Sequence, residues 1–394
     1  MPPYANYAPE FLIKLDGAPT PAAMKGSISS VTYEDGIKGA DRVEVSLANP
    51  TLQWLDHPLL SVDTPFSLSI GYAPDPLEEV FVGEITAVEA SFPASGMPTL
   101  RVTAHDFLNR LTHGSKDRAF KLSIPLFGNE ALPDVAVASI VSASNLLIPE
   151  PDPVGGALSV LMTLAMAYSV PPDDSLVRKQ EKESDFDLLS KIARENCWEV
   201  FIDHTQNPKG RVLKFQFLIQ QYTPSVTLKW GSSLIEFTPR LTTAGDVSIV
   251  STRVWVDSLQ TEFVIAVGWD FDRAVFTLSI YPSFGGEIED TMLDLPPEKK
   301  GTVVSKLATS YVTAARTILT DLLPRLNNRL TGSGSCIGDP RIKASRVMRL
   351  DGLGDQFSGL YRITSATHTF DASGYRTNFE VRKEVWFGSI PLPR

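Results

Sequence analysis

The sequence predicts a mainly β protein interrupted by an α+β insertion, with a β domain at either end. Three observations lead there: apolar residues at every second position through the first hundred residues, a helical rhythm that sets in near residue 113, and a hairpin-like stretch near the start that returns near the end. The 29 prolines and 26 glycines point the same way, because these residues punctuate turns and strand edges more readily than they sit in long helices.

The first β domain is expected over residues 1–112. Phe11, Ile13 and Leu15 form one alternating run, followed by Val43, Val45 and Leu47, by Phe66, Leu68 and Ile70, and by Leu100, Val102 and Ala104. A period of two puts such side chains on one face of a strand. Glu34-Asp35-Gly36, Ala48-Asn49-Pro50 and Ala73-Pro74-Asp75-Pro76 supply turns between the runs. A small antiparallel barrel or sandwich follows from this pattern.

Residues 113–225 read as an inserted α/β domain. A helix begins at Pro133, turns Val137, Ile140 and Val141 to one face and stops before Asn145. Ser184-Asp185-Phe186-Asp187 has the chemistry of a helix cap, in which side-chain oxygens accept the free amides of the first turn. Phe186, Leu189, Ile192 and Ala193 then form the buried stripe of that helix, and Trp198, Val200 and Ile202 alternate into a strand. Residues 154–170, VGGALSVLMTLAMAYSV, carry no charge and lie between Pro153 and Pro171. That is the lower limit of about 17 residues for a bilayer span, and basic anchors are missing, so burial against protein is expected instead of a membrane span. The acidic residues Asp173, Asp174, Glu181, Glu183 and Asp185, mixed with Arg178, Lys179 and Lys182, lack calcium-loop spacing and read as a solvated linker.

Residues 226–394 read as a second β domain, with Val254 and Val256 in one run and Phe276, Leu278 and Ile280 in another. A long helix is expected at about 298–323, where Val304, Leu307, Tyr311, Ala315, Ile318 and Leu322 advance by three or four until Pro324. The glycine-rich Thr331–Ser335 reads as a flexible linker into the closing strands.

The repeat ties the two ends together. Ile85-Thr86, Phe92, Ala94-Ser95-Gly96 and Thr99 recur as Ile363-Thr364, Phe370, Ala372-Ser373-Gly374 and Thr377, always at the same offset along the chain. Seven identities in a strand–turn–strand context indicate a duplicated hairpin within a duplicated β domain.

Charge and motifs exclude several function classes. With 36 Lys and Arg against 46 Asp and Glu, the net charge of −10 gives a phosphate backbone no counterions to release, so sequence-specific nucleic-acid binding is not expected. Cys197 and Cys336 match no metal or redox spacing, and His57, His105, His113, His204 and His368 show no paired ligand spacing. Neither a Gly-x-Ser-x-Gly elbow nor a phosphate loop occurs. No catalytic residue, cofactor or metal is therefore expected. His105 and Asp106 read as solvated residues at a strand end. The competing classes are a cell-wall glycan hydrolase using carboxylates such as Asp106 and Glu199, and a carbohydrate-binding β module. The N-terminus lacks the basic-then-apolar order of a secretory signal, which suggests assembly in the cytoplasm.

Three stretches resemble the phage baseplate hub family, which includes late-control protein D and the hub portion of valine-glycine-repeat spike proteins. Glu183-Ser184-Asp185-Phe186-Asp187 followed by Ala193-Arg194-Glu195-Asn196 is similar to a helix of that family's middle domain. Gly338-Asp339-Pro340-Arg341-Ile342 resembles its Gly-x-Pro turn, and Gly359-x-Tyr361-x-Ile363 with His368 and Gly374-Tyr375-x-Thr377 resembles its closing hairpin. The resemblance implies two tail-tube-like antiparallel β-barrels flanking an inserted α/β domain. It also implies a non-enzymatic homotrimer that joins a hexameric tail tube to a central trimeric spike, in a virion or injection particle. The partner implied is a tail tube or distal tail protein, and residues 154–170 are expected to be covered by the neighbouring hub chain or by a tail partner such as the tape-measure protein. The chain ends at Arg394, before the barrel and needle of fused spike members, so the spike is expected to be a separate protein.

Overall fold

In a computed structural model, the structure describes residues 8–121, 132–169, 177–217, 222–242, 249–256, 261–270, 275–283, 307–308, 322, 324 and 326–387. The expected helix at 298–323 lies outside the described residues except at Leu307–Ala308, which form a short strand instead, and at Leu322, which is helical.

The first strands are β1 (Ala8–Leu15), β2 (Ala18–Pro19), β3 (Ile28–Gly36), β4 (Arg42–Ala48), β5 (Pro65–Ala73), β6 (Glu78–Ser91) and β7 (Thr99–Asp106), with the short helix α1 (Ala22–Lys25) after β2. Their alternation is real: along β4, Val43, Val45 and Leu47 are buried and their neighbours half-exposed. These strands enclose a core of Val31, Tyr33, Phe66, Leu68, Phe81 and Ile85. Phe370 and Tyr375, from the far end of the chain, complete that core.

The middle of the chain holds β8 (Lys116–Phe120), α2 (Asp134–Ser144), β9 (Ile148–Pro151), α3 (Pro153–Ser169), β10 (Arg178–Glu183), α4 (Asp185–Glu195), β11 (Trp198–Asp203) and β12 (Val212–Phe217). Val137, Leu189, Ile192, Trp198 and Phe215 form its own core. Two expectations change here. Residues 178–183 are not a linker but a strand paired with β8, because Gln180 is buried while its charged neighbours point outward. Ile140 is exposed, and Ala138 takes the inner place beside Val137 and Val141, since the helix face is set by packing on α4 and β9.

The last strands are β13 (Val226–Lys229), β14 (Leu234–Leu241), β15 (Ile249–Val256), β16 (Thr261–Asp270), β17 (Val275–Ser283), β18 (Leu307–Ala308), β19 (Leu330–Ile337), β20 (Val347–Asp351), β21 (Gly359–Asp371) and β22 (Gly374–Arg382). Strands β15 to β18 form a separate four-stranded sheet. The stretch expected to be a flexible linker is strand β19, and its glycines answer to crowding. A Cβ at Gly332 would stand 2.6 Å from the Phe237 ring, and one at Gly334 2.7 Å from the Glu236 carbonyl.

Two closed barrels are not found. A single sheet runs β14-β19-β22-β21-β3-β4-β7-β6-β5-β1-β2, with β13 and β20 attached to β21. The two β regions join edge to strand, β3 pairing antiparallel with β21 from Val31↔Phe370 to Gly36↔Ser365. That pairing occupies the edge along which either set would otherwise close.

The duplication is visible in the ladder. The order β5-β6-β7-β4-β3 returns as β20-β21-β22-β19-β14, antiparallel throughout. Register breaks between Ile85 and Ala87 in one copy, and at the repeat-related point between Ile363 and Ser365 in the other. It breaks again between Ile28 and Ser30 in the first copy, and between Leu234 and Glu236 in the second. A bulge adds an unpaired residue at a fixed point of a ladder, so two bulges at matching points align the copies residue by residue. The return strand departs from the constant sequence offset: Ile85 pairs with Ala104 and Ile363 with Val381, so the first turn is one residue longer. Thr99 and Thr377 are thus not structural equivalents. Thr99 is exposed and Thr377 is buried.

Candidate assembly surfaces and the buried junction

Ser184 caps α4: its hydroxyl accepts the Asp187 amide at 3.0 Å, and the Asp187 carboxylate accepts the Ser184 amide at 3.2 Å. Asp185, 2% exposed, accepts hydrogen bonds from Lys116, Arg118, Asn145 at 2.8 Å and Gln180 at 3.0 Å. Burial alone would raise its carboxyl, but the bonds from Lys116, Asn145 and Gln180 outweigh it and hold the group below its ordinary value. Phe186 packs half-buried against the middle core. The capping residues therefore tie β8, β10 and α2 to α4.

The other family-like residues gather elsewhere. Gly338 donates its amide to the Tyr375 carbonyl at 3.1 Å, and its own carbonyl accepts the Tyr72 hydroxyl at 2.9 Å. Pro340 is buried in the turn that follows. Tyr375 stacks on Phe370 at 4.0 Å, and Gly374 takes φ +107° at the hairpin tip. Gly359 opens β21 at φ +125°, two residues before Tyr361, which is fully buried and donates to the Phe357 carbonyl at 2.7 Å. Gly338 and Tyr375 thus touch, whereas Ser184 to Asp187 belong to a separate network. No sequence signal pairs residues so far apart.

A polar cluster not foreseen from the sequence lies where the three regions meet. Asp35 and Asp41 flank the β3–β4 turn, Asp106 ends β7, His204 follows β11, and Lys343 and Ala344 precede β20. The Tyr33 hydroxyl donates to Asp41 at 3.1 Å, the Ala344 amide donates to Asp35 at 2.9 Å, and Lys343 binds Glu78 at 2.8 Å. A cavity of about 330 Å³ opens onto Asp35, Asp41, His204 and Lys343. Burial first, then Asp41, pushes the Asp35 carboxyl up to about 8, and burial likewise raises Asp41 and Asp106. Burial depresses His204 to about 4. Asp106 is 1% exposed, so the expected solvated strand end is in fact interior. Its position at the strand end was legible, but its burial depends on the inserted region, whose His204 stands 3.9 Å away.

Asp41, Asp106 and His204 bring their ligand-type atoms within 4.8 Å of one another, close enough to consider a metal. The histidine tautomer argues against it. His204 Nδ1 accepts the Val82 amide at 3.1 Å, which leaves Nε2 to carry the proton it gives to Asp41 at 3.2 Å. A ligating histidine presents an unprotonated nitrogen and donates from the other one, the reverse of this arrangement. The cluster is a proton-rich joint. Glu199, the other carboxylate considered for glycan hydrolysis, belongs to a different network, accepting from Arg382 at 3.0 Å and from Ser345.

Helix α3 is turned inside out. Gly155, Ser159 and Thr163 face inward, where Ser159 Oγ accepts the Val135 amide at 3.2 Å and a Cβ at Gly155 would stand 2.6 Å from Trp198 Nε1. Val154, Leu158, Leu161 and Leu164 face outward, Leu161 being 62% exposed. Among the described residues none covers this outer face, which is the face expected to meet a neighbouring chain or a tail partner. No helix among the described residues is long and apolar enough to cross a membrane.

No family model matches the sequence, and no curated protein resembles it. Solved structures do share the fold. The 43 kDa tail protein of prophage MuSo2 from Shewanella oneidensis superposes with a TM-score of 0.62 at 12% identity, over 95% of this chain and 98% of that one. A tail protein from Neisseria meningitidis MC58 gives 0.61 at 10% identity, over 98% and 100%. An E. coli component of the type VI secretion system, described as structurally similar to the T4 bacteriophage tail proteins gp27 and gp5, gives 0.56 at 11% identity, over 97% and 80%. The chain has the fold of phage tail proteins.

Proposed function

We propose that this chain is a structural hub of a phage tail or related injection machine, a homotrimeric adaptor between a hexameric tail tube and a trimeric spike. The observation that carries the reading is the duplicated ladder with its two matched pairs of bulges. A chain with two copies of one β unit, repeated three times about an axis, offers six similar units to a six-fold partner and three chains to a three-fold one. The shared fold of tail proteins supports the same reading. Its partners are then a tail tube or distal tail protein, a spike and a tape-measure protein, its place is the baseplate of the particle, and it performs no chemistry. Light-scattering mass and electron microscopy of the purified protein test this. Three chains in a ring with a central opening are expected; a monomer at micromolar concentration, or a ring of six chains, would overturn it.

A further inference from the structure

Strand β21 is paired on one side by β22 from Arg362 to Asp371, and on the other side in two halves. Residues 359–362 carry β20, and residues 365–370 carry β3. Its counterpart β6 is paired by β7 on one side, but on the other only residues 78–84 carry a strand, β5. Among the described residues no strand lies against the outer half of β6, and Glu89, Ala90 and Ser91 are exposed there. Among the described residues strand β14, the counterpart of β3, ends the sheet with β19 as its one partner strand, apart from a single bridge between Leu234 and Trp230. Each copy of the unit thus has one junction made and one left open.

We infer that β14 of one chain pairs antiparallel with the outer half of β6 in the next copy of the same chain, repeating between chains the junction that β3 and β21 make within one. The inference rests on the homo-oligomeric reading above and adds its register. The bulges map Ile363 of β21 onto Ile85 of β6, and Ile28 of β3 onto Leu234 of β14. The observed pairs Ala366↔Asp35, Thr367↔Glu34, His368↔Tyr33, Thr369↔Thr32 and Phe370↔Val31 then become Val88↔Leu241, Glu89↔Arg240, Ala90↔Pro239, Ser91↔Thr238 and Phe92↔Phe237.

The side chains fit that register, although nothing in the mapping used their identity. Glu89 and Arg240, both exposed, are of opposite charge. Phe92, 59% exposed, gains an aromatic partner in Phe237. Val88, Ala90 and Phe92 meet Leu241, Pro239 and Phe237 on one face, and polar residues meet on the other. Opposite charges and aromatic pairs directly across a ladder stabilise it. Val88 already packs on the core of the first strands, and Phe237 on a core of the last strands that includes Leu234, Met348, Tyr361 and Phe379, so pairing would merge these cores between chains as Phe370 and Tyr375 link the two β regions within one. Pro239 lacks an amide on the open edge, so this junction is one hydrogen bond short of its internal counterpart. The two edges cannot meet within a chain, because six strands about 4.8 Å apart separate β14 from β6 in an open sheet.

Cysteines test the register. The Thr242 amide points to β19, so Thr238 also faces that side and the pair Ser91↔Thr238 is of the non-hydrogen-bonded kind. Its Cα atoms should lie about 4.5 Å apart, within disulfide reach. In a Cys197→Ser background, Ser91→Cys with Thr238→Cys should form an intermolecular disulfide in most chains under mild oxidation. Ser91→Cys with Arg240→Cys, two residues out of register, should form at least tenfold less. Glu89→Arg and Arg240→Glu should each weaken association about tenfold, and the double variant should restore it. A ring of normal mass without the Ser91–Thr238 cross-link overturns this register and leaves the hub reading standing. A disulfide formed within single chains also overturns it, and a monomer overturns both.

Discussion

The α-carbon of Gly338 lies against the ring of Tyr375 so closely that a Cβ on it would stand 2.1 Å from the ring's Cγ. Gly338→Ala should therefore force the ring or the turn aside and cost roughly 1–3 kcal/mol. Gly374→Ala, strained at φ +107° but with open space around it, separates a backbone penalty from a packing one. Chemical denaturation of both variants is the measurement. A Gly338→Ala protein as stable as the parent would show that the sheet yields there.

The carboxyl cluster should make stability fall with alkaline pH. A group whose value is raised by folding binds more protons folded than unfolded, so Asp35, going from 3.8 to about 8, favours the folded state less as pH rises through that window. His204 and His368, both depressed from 6.5 to about 4, act in the opposite sense, but only between those values. The net decline should therefore be clearest from pH 6.5 to 8. Asp35 is half-buried and partly screened by water, so its share is about 1 kcal/mol over that range. Melting temperatures of Asp35→Asn, which keeps an acceptor for Ala344, should decline less with pH; an unchanged slope would refute the assignment.

At the start of α4, Ser184→Ala should cost about 1 kcal/mol, as the loss of a helix cap does. Asp185→Ala should cost more, about 2 kcal/mol, because it leaves the Asn145 and Gln180 amides without their acceptor as well as Lys116 and Arg118 without their counter-charge. Urea midpoints of the two variants give the ranking, and equal losses would mean that the Asp185 network adds nothing beyond the cap.

Replacing Leu161 and Leu164 with Asp should leave the stability of the single chain within about 0.5 kcal/mol, since both side chains face outward. Assembly should suffer if another protein surface covers this face. Sedimentation of the double variant beside its melting curve separates the two effects, and loss of folding would place these leucines in an internal core.

Much of the fold was legible because strands with one wet face write their period into the sequence: Val43, Val45 and Leu47 are buried as read. The capping box was legible because its partners are three residues apart. The repeat was legible along β6 and β21, where Ile85 and Ile363 occupy one structural position, but the constant offset carried past the turn, where one copy has an extra residue. The buried joint could not be read. Asp35, Asp41, Asp106 and His204 look like ordinary polar residues near turns, and only the convergence of three regions takes Asp41, Asp106 and His204 out of water and Asp35 partly so. Gly332 and Gly334 looked like a linker because a glycine chosen for freedom and one chosen for crowding are the same letter.

The pairing of β3 with β21 also bears on how the chain leaves the ribosome. Strand β3 ends at Gly36 and its partner begins at Gly359. At synthesis speeds of about 5–20 residues per second, the nascent first region waits on the order of tens of seconds with one strand edge bare and its core lacking Phe370 and Tyr375. An open edge is a template for the wrong partner, above all on a polysome where neighbouring copies carry the same edge. Synthesis thus sets a race between completion of the chain and mispairing among its siblings, and slowing translation after β7 should tilt that race toward aggregation.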